Sequence, residues 1–351
     1  MNPFTYDALS NRVVFGAGSR RTVREEVERL QAKRVLLIAD EHDRERSDEI
    51  AGYLGELCVA LFTDVVQHVP LAQATLVREL ATEVGADATV TFGGGSATGY
   101  GKVVALSHHL PQVCIPTTYA GSEQTPIWGL TSGNEKQTGR DLAVLPKVVL
   151  YDPELTVALP VAIAGPSGMN ALAHAVEGLY GAGANPISSV VAFESIRVLV
   201  EHLPRLVARP GDIDERSNVL YGAYLAGAVL AVTGPSLHHK ICHVLGGLYG
   251  LDHGQMNAAV LPYALQFNAP AIPQLYERLS DVLNGDASTM IYDLATTLGV
   301  PQDLTSIGFP ADGVAVAAPL VVKAAEGNVR PIDVAQASEL LERCALGLRP
   351  S

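Results

Sequence analysis

The chain has 351 residues, of which 48% are hydrophobic and 17% charged, and its formal net charge is −13. This length is enough for one large or two ordinary domains, and the composition is typical of a folded protein rather than a disordered one. The acidic balance excludes a nucleic acid as the expected partner, because binding to phosphate backbones requires a basic surface. A small anionic ligand stays compatible with it, since a local cluster of cations can oppose the overall charge.

The cysteine pattern and the apolar stretches predict a cytoplasmic protein. The N-terminal residues lack the basic-then-apolar pattern of a signal peptide. The longest apolar stretch, residues 221–232, is interrupted by Gly222, Tyr224 and Gly227, so we expect a buried helix and no membrane partner. Free thiols are expected at the dispersed cysteines, which form no CxxC pair. These are Cys58, Cys114, Cys242 and Cys344.

Short apolar runs alternate with helical patterns in the first part of the chain. The runs predict strands at residues 35–39, 59–62, 88–92, 112–116 and 148–151. Strand–helix–strand alternation at this spacing is typical of a mostly parallel sheet covered by helices on both faces. We therefore expect a Rossmann-like α/β domain over residues 1–155.

Helical patterns dominate after residue 155 and predict an all-α domain over residues 156–351. The segment 155–166 is expected to be the passage between the two domains, and the cleft between them is the expected ligand site. The clearest helical patterns cover residues 168–178, 187–202, 215–232, 237–249, 290–298 and 333–345.

A glycine-rich loop, GGGSATGYGK, follows the predicted strand at 88–92. Gly93, Gly94 and Gly95 permit close approach of a phosphate, Ser96 offers a hydroxyl, and the N-terminus of the next helix favours an anion. This is not the GxGxxG fingerprint of a first βα turn, and a tight structural turn is the alternative interpretation.

Two further segments follow predicted strands and are expected at the same edge of the sheet. Thr117 and Thr118 in PTTY offer hydroxyl groups to a phosphate or ribose. Asp40 ends the strand at 35–39, where a carboxylate is placed to bind ribose hydroxyls or to cap the following helix. The sequence leaves both roles of Asp40 open.

The predicted helical domain contains a group of histidines with the spacing of a metal site in which one ligand is missing. Asn170 and His174 are spaced i, i+4 on one helix face, His239 and His243 repeat that spacing, and His253 follows. A carboxylate at position 170 would complete an Asp/His/His/His site for a divalent metal, but an uncharged amide is a poorer ligand. A structural role is the alternative for any single histidine.

Several motifs together resemble the iron-containing (group III) alcohol dehydrogenase superfamily, which includes dehydroquinate synthase-like proteins. They are VVFGAGS, GGGSATGYGK, PTTYAGSE, YDPELT, GMNALAHAVEG and HHKICHVLGGLYGLDHG. Family members typically have an aspartate at the positions of Gly99 and Asn170. Those departures, with PTTYAGSE, HVP at 68–70, TGRDLAVLPKVVLYDPELT and LHHKICHVLGG, resemble the maleylacetate reductase branch.

The resemblance implies reduction of the C=C bond of maleylacetate to 3-oxoadipate in the degradation of aromatic compounds, without a catalytic metal. It implies that His243 polarises the substrate or donates the proton, with His253 as the second candidate. The other implied substrate contacts are Asn170, His174, His239 and Tyr119. The substrate is a dianion, so compensating charge is expected from protonated histidines or from Lys136, Arg140 and Lys240.

The resemblance further implies a nicotinamide cofactor and a homodimer. The expected cofactor is NADH, with NADPH possible, because a carboxylate at Asp40 repels a 2′-phosphate. The implied cofactor contacts are Asp40, Gly93, Gly94, Gly95, Ser96, Lys102, Thr117 and Thr118.

Two alternatives stay open at this point. One is a metal-dependent alcohol dehydrogenase of the same superfamily that tolerates Asn170 and binds iron or zinc through three histidines. The other is a nucleotide-binding protein that has kept the fold and lost the chemistry.

Overall fold

The computed structural model describes residues 3–132 and 135–350. The side chains of Glu135 and Lys136 lie outside the described part, and with them the predicted charge compensation by Lys136. The chain forms two compact units, Leu9–Leu159 and the described residues of Met1–Ala8 with Pro160–Ser351. The division therefore falls slightly later than the predicted boundary at residue 155, and the described N-terminal residues belong to the second, helical unit.

A six-stranded parallel sheet organises the first unit. Its strands lie in the order β1-β8-β5-β4-β2-β3. The five strands predicted from the sequence are all present, and their ends agree to within one residue. The strands of this unit are β1 (Arg12–Phe15), β2 (Val35–Ala39), β3 (Cys58–Phe62), β4 (Ala88–Gly93), β5 (Gln112–Pro116), β6 (Ile127–Ser132), β7 (Glu135–Arg140) and β8 (Val148–Tyr151).

Helices cover both faces of this sheet because its central strands are apolar on both sides. In β2, Val35 and Leu37 pack in one buried cluster with side chains of α1 and α2, whereas Leu36 and Ile38 pack in another with side chains of α3 and α4. Alternate residues of a strand point to opposite faces, so a continuous apolar run serves both layers. The helices of this unit are α1 (Val23–Arg29), α2 (Arg44–Leu54), α3 (Leu71–Glu83), α4 (Gly95–His108) and α5 (Pro153–Thr156).

The antiparallel hairpin β6–β7 was not predicted. Its register pairs Ile127 with Arg140 and Gly129 with Thr138. The hairpin's residues are mostly polar or half-exposed, and so they lack the apolar run that identified the buried strands.

The second unit is helical. The six predicted helices are all present, most of them longer than predicted, and three further helices, α10, α11 and α13, were missed. Two of these, α10 and α13, contain an interior proline, which sequence reasoning reads as a break. The helices are α6 (Val161–Gly178), α7 (Pro186–Ala208), α8 (Ile213–Thr233), α9 (Leu237–Tyr249), α10 (His253–Asn268), α11 (Pro273–Leu283), α12 (Ala287–Thr297), α13 (Gly313–Ala324) and α14 (Val334–Leu346).

The division between the two units, after Leu159, lies within the segment 155–166 that was expected to be the passage between domains. Helix α5 ends at Thr156 and α6 begins at Val161, so only residues 157–160 are outside a helix. Pro166 lies in the second turn of α6, past the first turn in which a proline costs no intrahelical hydrogen bond.

Helix α6 lies at the centre of this unit and contacts α7, α8 and α10. Every residue from Gly168 to Gly178 is buried. A helix that is buried on all sides is apolar or small on all sides, and the polar exceptions on such a helix need partners. Those exceptions are Asn170, His174 and Glu177.

Among the described residues, no single helix has both the length and the hydropathy to cross a membrane. Helices α8 and α9 pass that test only as a pair, and their axes meet at 95°.

Candidate active site

The glycine loop joins β4 to α4. Its glycines carry no side chains, so the loop does not cover its own backbone. Gly93 has φ +143°, a conformation that other residues rarely adopt. A Cβ at Gly94 would lie 3.1 Å from Thr118 Cγ2, and one at Gly95 would lie 3.3 Å from Ala120 Cβ. A side chain at either position would therefore press against Thr118 or Ala120, since the segment after β5 packs directly against the loop.

The structure brings the predicted phosphate-binding residues together. Thr117 donates its backbone N–H to the carbonyl of Gly93 at 3.1 Å, and β4 and β5 are paired neighbours whose carboxyl ends meet at one edge of the sheet. Ser96 lies in the first turn of α4, where backbone N–H groups favour an anion. A side-chain-free loop before a helix of this length fits the phosphates of a dinucleotide.

Asp40 follows β2, the other neighbour of β4, at the same edge of the sheet. Its Oδ1 accepts a hydrogen bond from the backbone N–H of His42 at 2.9 Å and caps the short 3₁₀ helix Glu41–Asp43. The capping interpretation is confirmed, and binding of a ribose stays a prediction.

The structure does not support a contact between Lys102 and a cofactor phosphate. Its side chain is buried, and Nζ donates to the carbonyls of Ser122, Thr125 and Ile127 at 2.7–2.8 Å. Burial lowers the pKa of Lys102 to about 7. The ammonium group therefore holds the segment after the PTTY loop, a role that sequence spacing did not indicate.

The departure from the family pattern at Gly99 has a local cause. A Cβ at position 99 would lie 2.8 Å from Val69 Cγ2. Val69 has φ +49° and His68 φ +65°, and this strained pair is held by two hydrogen bonds from Thr131, to the carbonyls of His68 and Val69. The HVP segment thus occupies the space beside α4 that any side chain at 99 would need.

In the helical unit, α6 and α9 bring three of the predicted histidines into contact. The rings of His174 and His239 stack with their centroids 4.8 Å apart, and His243 lies 6.4 Å from His239 on the next turn of α9. His174, His239 and Asn170 are buried, whereas His243 is exposed and His253, the first residue of α10, is half-buried. The predicted spacing therefore produces a polar cluster on a buried helix pair.

One carboxylate in contact with this cluster, that of Glu177, was not predicted from the sequence. Glu177, one turn after His174 on α6, is fully buried, and its Oε2 lies 2.5 Å from His239 Nδ1. Its oxygens also accept backbone N–H groups at the N-terminus of α9, from His238 at 2.7 Å and from Ser236 and His239 at 3.3 Å. Ser236, the N-cap residue, makes no side-chain cap of its own, so Glu177 caps α9 from another helix.

The hydrogen bonds define which nitrogens of the two adjacent histidines carry protons. His238 Nε2 lies 2.8 Å from the carbonyl of Asn257 and therefore donates to it. His239 Nδ1 faces the Glu177 carboxylate and, at 3.2 Å, His238 Nδ1, so the proton lies on His239 Nδ1. The Nε2 of His239 is consequently the bare nitrogen, and within the described residues it has no hydrogen-bond partner although it is buried.

Burial and neighbouring charges set the protonation of the cluster. Burial, followed by the neighbouring His239 and His253, lowers the pKa of His174 well below its usual value. Burial also lowers the pKa of His239, against the opposing effect of Glu177. Burial alone would raise the pKa of Glu177, but His239 and the hydrogen bonds from His238 and His239 lower it below its usual range. Burial lowers the pKa of His238, but Cys242 and Glu177 outweigh this effect and raise that pKa to about 10. The cluster thus combines neutral imidazoles at His174 and His239 with a buried pair of opposite charges, Glu177 and His238.

Two further polar atoms of the cluster are buried without a partner in the described part of the chain. They are Asn170 Oδ1 and His174 Nδ1. Buried polar atoms are rarely left unpaired in a protein that has no ligand to receive them, so these atoms mark a place for a polar ligand.

The remaining candidates lie elsewhere. Tyr119 is fully buried in the first unit, directly after Thr118. Lys240 donates to the carbonyl of Glu326 at 2.8 Å, and Arg140 is exposed at the end of β7. These contacts do not place either cation at the histidine cluster.

Comparisons with known proteins identify the family. The iron-containing alcohol dehydrogenase model matches residues 10–153, and the model of the C-terminal part of the Fe-containing alcohol dehydrogenase family matches residues 165–345. The chain belongs to this family.

Among its relatives are maleylacetate reductases. The one from Sphingobium indicum is 47% identical over 348 residues, covering 99% of both chains, and the one from Burkholderia cepacia is 43% identical over the full length of both. The crystal structure of maleylacetate reductase from Agrobacterium tumefaciens, 42% identical, matches the whole of both chains with a TM-score of 0.96. The resemblance inferred from the motifs and the predicted fold are confirmed.

The donor set of this chain does not fit the iron that the family descriptions name. Position 170 carries an amide, so the set of Asn170 with three imidazoles has no anionic ligand. Among the described residues, the one group of ligand atoms within 4.8 Å of one another is Glu177, His238 and His239. Those atoms already bind one another and the backbone of α9, and so they satisfy a hydrogen-bond network instead of a vacant coordination shell.

Proposed function

We propose that this chain reduces the C=C bond of maleylacetate to 3-oxoadipate during the degradation of aromatic compounds. The observation that carries this proposal is similarity to maleylacetate reductases at 40–47% identity over nearly the whole chain, in several relatives. The amide at Asn170 supports it, because an amide is a poorer ligand for a divalent metal than the carboxylate that is typical of the family at that position.

The first unit binds the cofactor in this proposal, and the fit of its glycine loop to a dinucleotide supports that role. A bound nicotinamide supplies the hydride. Gly93, Gly94 and Gly95 receive the phosphates together with Ser96, Thr117 and Thr118, and Asp40 binds the ribose. A carboxylate at Asp40 favours NADH over NADPH, because it repels a 2′-phosphate.

The helical unit binds the substrate in this proposal. Addition of hydride to the alkene carbon moves charge onto the oxygen of the conjugated ketone, and a hydrogen-bond donor must stabilise it. His243 polarises that oxygen or donates the proton to carbon, with His253 as the second candidate, since imidazole titrates near the working pH. Asn170, His174 and His239 bind the dianion, whereas the full burial of the Tyr119 side chain does not support the contact predicted for it.

We further propose that turnover needs no catalytic metal, and that the protein is a cytoplasmic homodimer. The uncharged residue at position 170 and the hydrogen-bonded state of Glu177, His238 and His239 support the first of these. The family resemblance supports the second.

The test is oxidation of NADH by the purified chain with maleylacetate, with and without a strong chelator, followed by the metal content of the active protein. Activity that survives chelation, with 3-oxoadipate as the product, is the expected result. Inactivity with maleylacetate, or activity that is lost on chelation and restored by iron or zinc, would overturn the proposal in favour of a metal-dependent alcohol dehydrogenase.

A further inference from the structure

We infer that Glu177 is a positioning residue that fixes the proton of His239 on Nδ1 and so presents the bare Nε2 of His239 to the substrate. This inference rests on the proposed function, since it assigns His239 to substrate binding. Nothing in the sequence pattern alone separates Glu177 from the other polar residues of the α6 motif.

The carboxylate of Glu177 is held in a fixed position. Glu177 is fully buried, and three backbone N–H groups at the start of α9 hold its oxygens, at 2.7 Å from His238 and 3.3 Å from Ser236 and His239. A carboxylate fixed by the same helix that carries its histidine partner cannot turn away without opening that helix end. The 2.5 Å contact with His239 Nδ1 is therefore built into the packing of α6 against α9.

This carboxylate also fixes the tautomer of His239. An acceptor at Nδ1 requires the proton on that nitrogen and leaves Nε2 as a lone pair, as in the carboxylate–histidine pairs of hydrolases. His239 Nδ1 lies 2.5 Å from the Glu177 carboxylate and 3.2 Å from His238 Nδ1, so the carboxylate is its nearer partner and sets the position of its proton.

The other ring nitrogen of His239, Nε2, lies beside further buried polar atoms that lack a partner. His239 Nε2 is buried and, within the described residues, unpartnered, and the same holds for Asn170 Oδ1 and His174 Nδ1. The ring of His174 stacks on that of His239 at 4.8 Å. The tautomer that Glu177 imposes therefore decides whether this buried nitrogen accepts or donates a hydrogen bond toward a bound substrate.

The test is the variant Glu177→Gln, which keeps the volume of the side chain and removes its charge. The variant replaces one of the two acceptor oxygens with an N–H₂ donor and therefore weakens the preference for a proton on His239 Nδ1. We expect kcat for maleylacetate to fall by about 10- to 100-fold, with the KM for NADH unchanged. Nitrogen-15 chemical shifts of His239 in the substrate-free protein report the tautomer directly, with Nδ1–H in the native chain and a larger fraction of Nε2–H in the variant.

The chain offers a matched control in the same unit. Glu215 also lies against a histidine, with its Oε2 at 2.6 Å from His202 Nδ1, and it is buried as well. Glu215→Gln is expected to change neither kcat nor the His239 signals. Glu177→Asp keeps the charge and is expected to keep Nδ1–H at His239 and to recover activity above that of Glu177→Gln.

Two results would overturn the inference: native kcat in Glu177→Gln, or a native protein whose His239 carries its proton on Nε2. The second result can be obtained even if Glu177→Gln does not fold, because it is measured on the native protein. Failure of the proposed function is distinguishable, because a native chain that is inactive with maleylacetate would overturn that function, whereas the tautomer is measured without substrate.

Discussion

At the scale of single residues, His243 differs from the other histidines of the cluster in its exposure. It lies on the turn of α9 after His239, exposed, whereas His174 and His239 are buried and kept neutral by burial. An exposed imidazole exchanges protons with solvent and can be recharged after each turnover. This placement favours His243 as the proton donor and the buried pair as binders of the substrate.

We predict that His243→Ala lowers kcat for maleylacetate by about 10²- to 10⁴-fold, because general acid catalysis contributes on that order. The Kd for NADH, measured by fluorescence titration, is expected to stay within about twofold of the native value. His108→Ala, at the end of α4 in the other unit, serves as the control. Native turnover in His243→Ala would refute the assignment of the proton donor.

A second prediction concerns the missing ligand. Asn170→Asp places a carboxylate one helical turn from His174, and a carboxylate with imidazoles binds borderline divalent metals far better than an amide does. We expect a gain in stoichiometric zinc or iron, measured by metal analysis after dialysis. Asn218→Asp adds the same charge on α8 and is expected to bind none. Equal metal content in the two variants would show that the cluster does not form a coordination site.

At the scale of elements, two local structures depend on chain segments that are distant in sequence. The glycine loop has its shape fixed by the segment after β5, and the N-terminus of α9 is capped by Glu177 of α6. Each element therefore needs its partner to be in place before its own ends are satisfied.

The glycine loop gives the third prediction. Gly94→Val introduces atoms toward Thr118, which already lies 3.1 Å from the position of a Cβ, and so it narrows the space that a phosphate needs. We expect the Kd for NADH to rise at least about tenfold, which corresponds to about 1.4 kcal/mol. The contact with Thr118 is also expected to lower thermal stability, so the Kd is measured at a temperature at which the variant is folded. The control is Gly52→Val on α2, where a Cβ meets nothing within 4 Å. An unchanged Kd in Gly94→Val would remove the loop from the cofactor site.

At the scale of the whole molecule, the sequence was informative where structure is local. The buried strands of a parallel sheet appear as continuous apolar runs, and for this reason the strands from β2 to β5 and β8 were predicted almost to the residue. Helices α10 and α13 were missed because each contains an interior proline, which sequence reasoning reads as a break, whether it is buried as Pro262 or exposed as Pro319. The i, i+4 spacing identified Asn170 and His174, and the same face at i+7 carries Glu177.

The role of Glu177 was not predictable from that spacing. Its function as a cap follows from the approach of the start of α9 to α6, which is a contact between residues about sixty positions apart. The same holds for Lys102, which periodicity places on the helix after the glycine loop while its acceptors lie more than twenty residues onward. Motif spacing identifies which residues carry chemistry, and tertiary packing decides which of them are buried, capped or neutral.

Burial of Lys102 gives a prediction for the stability of the molecule. Its pKa is lowered from 10.5 to about 7 in the folded chain. Between those values the unfolded chain holds a proton on Lys102 that the folded chain has released, so this group makes the free energy of unfolding rise with pH. Below pH 7 both states are protonated and the group contributes no slope.

The measurement is urea unfolding of the native chain and of Lys102→Met at pH 6.0, 7.5 and 9.0. The difference in unfolding free energy, native minus variant, is expected to become more favourable to the native chain from pH 7.5 to 9.0, by up to about 1.4 kcal/mol per pH unit, and to be flat at and below pH 6. Lys33→Met, at an exposed position, serves as the control and is expected to show no such slope. A difference independent of pH would mean that the carbonyls of Ser122, Thr125 and Ile127 keep the ammonium charged throughout, and that Lys102 is a permanent buried cation.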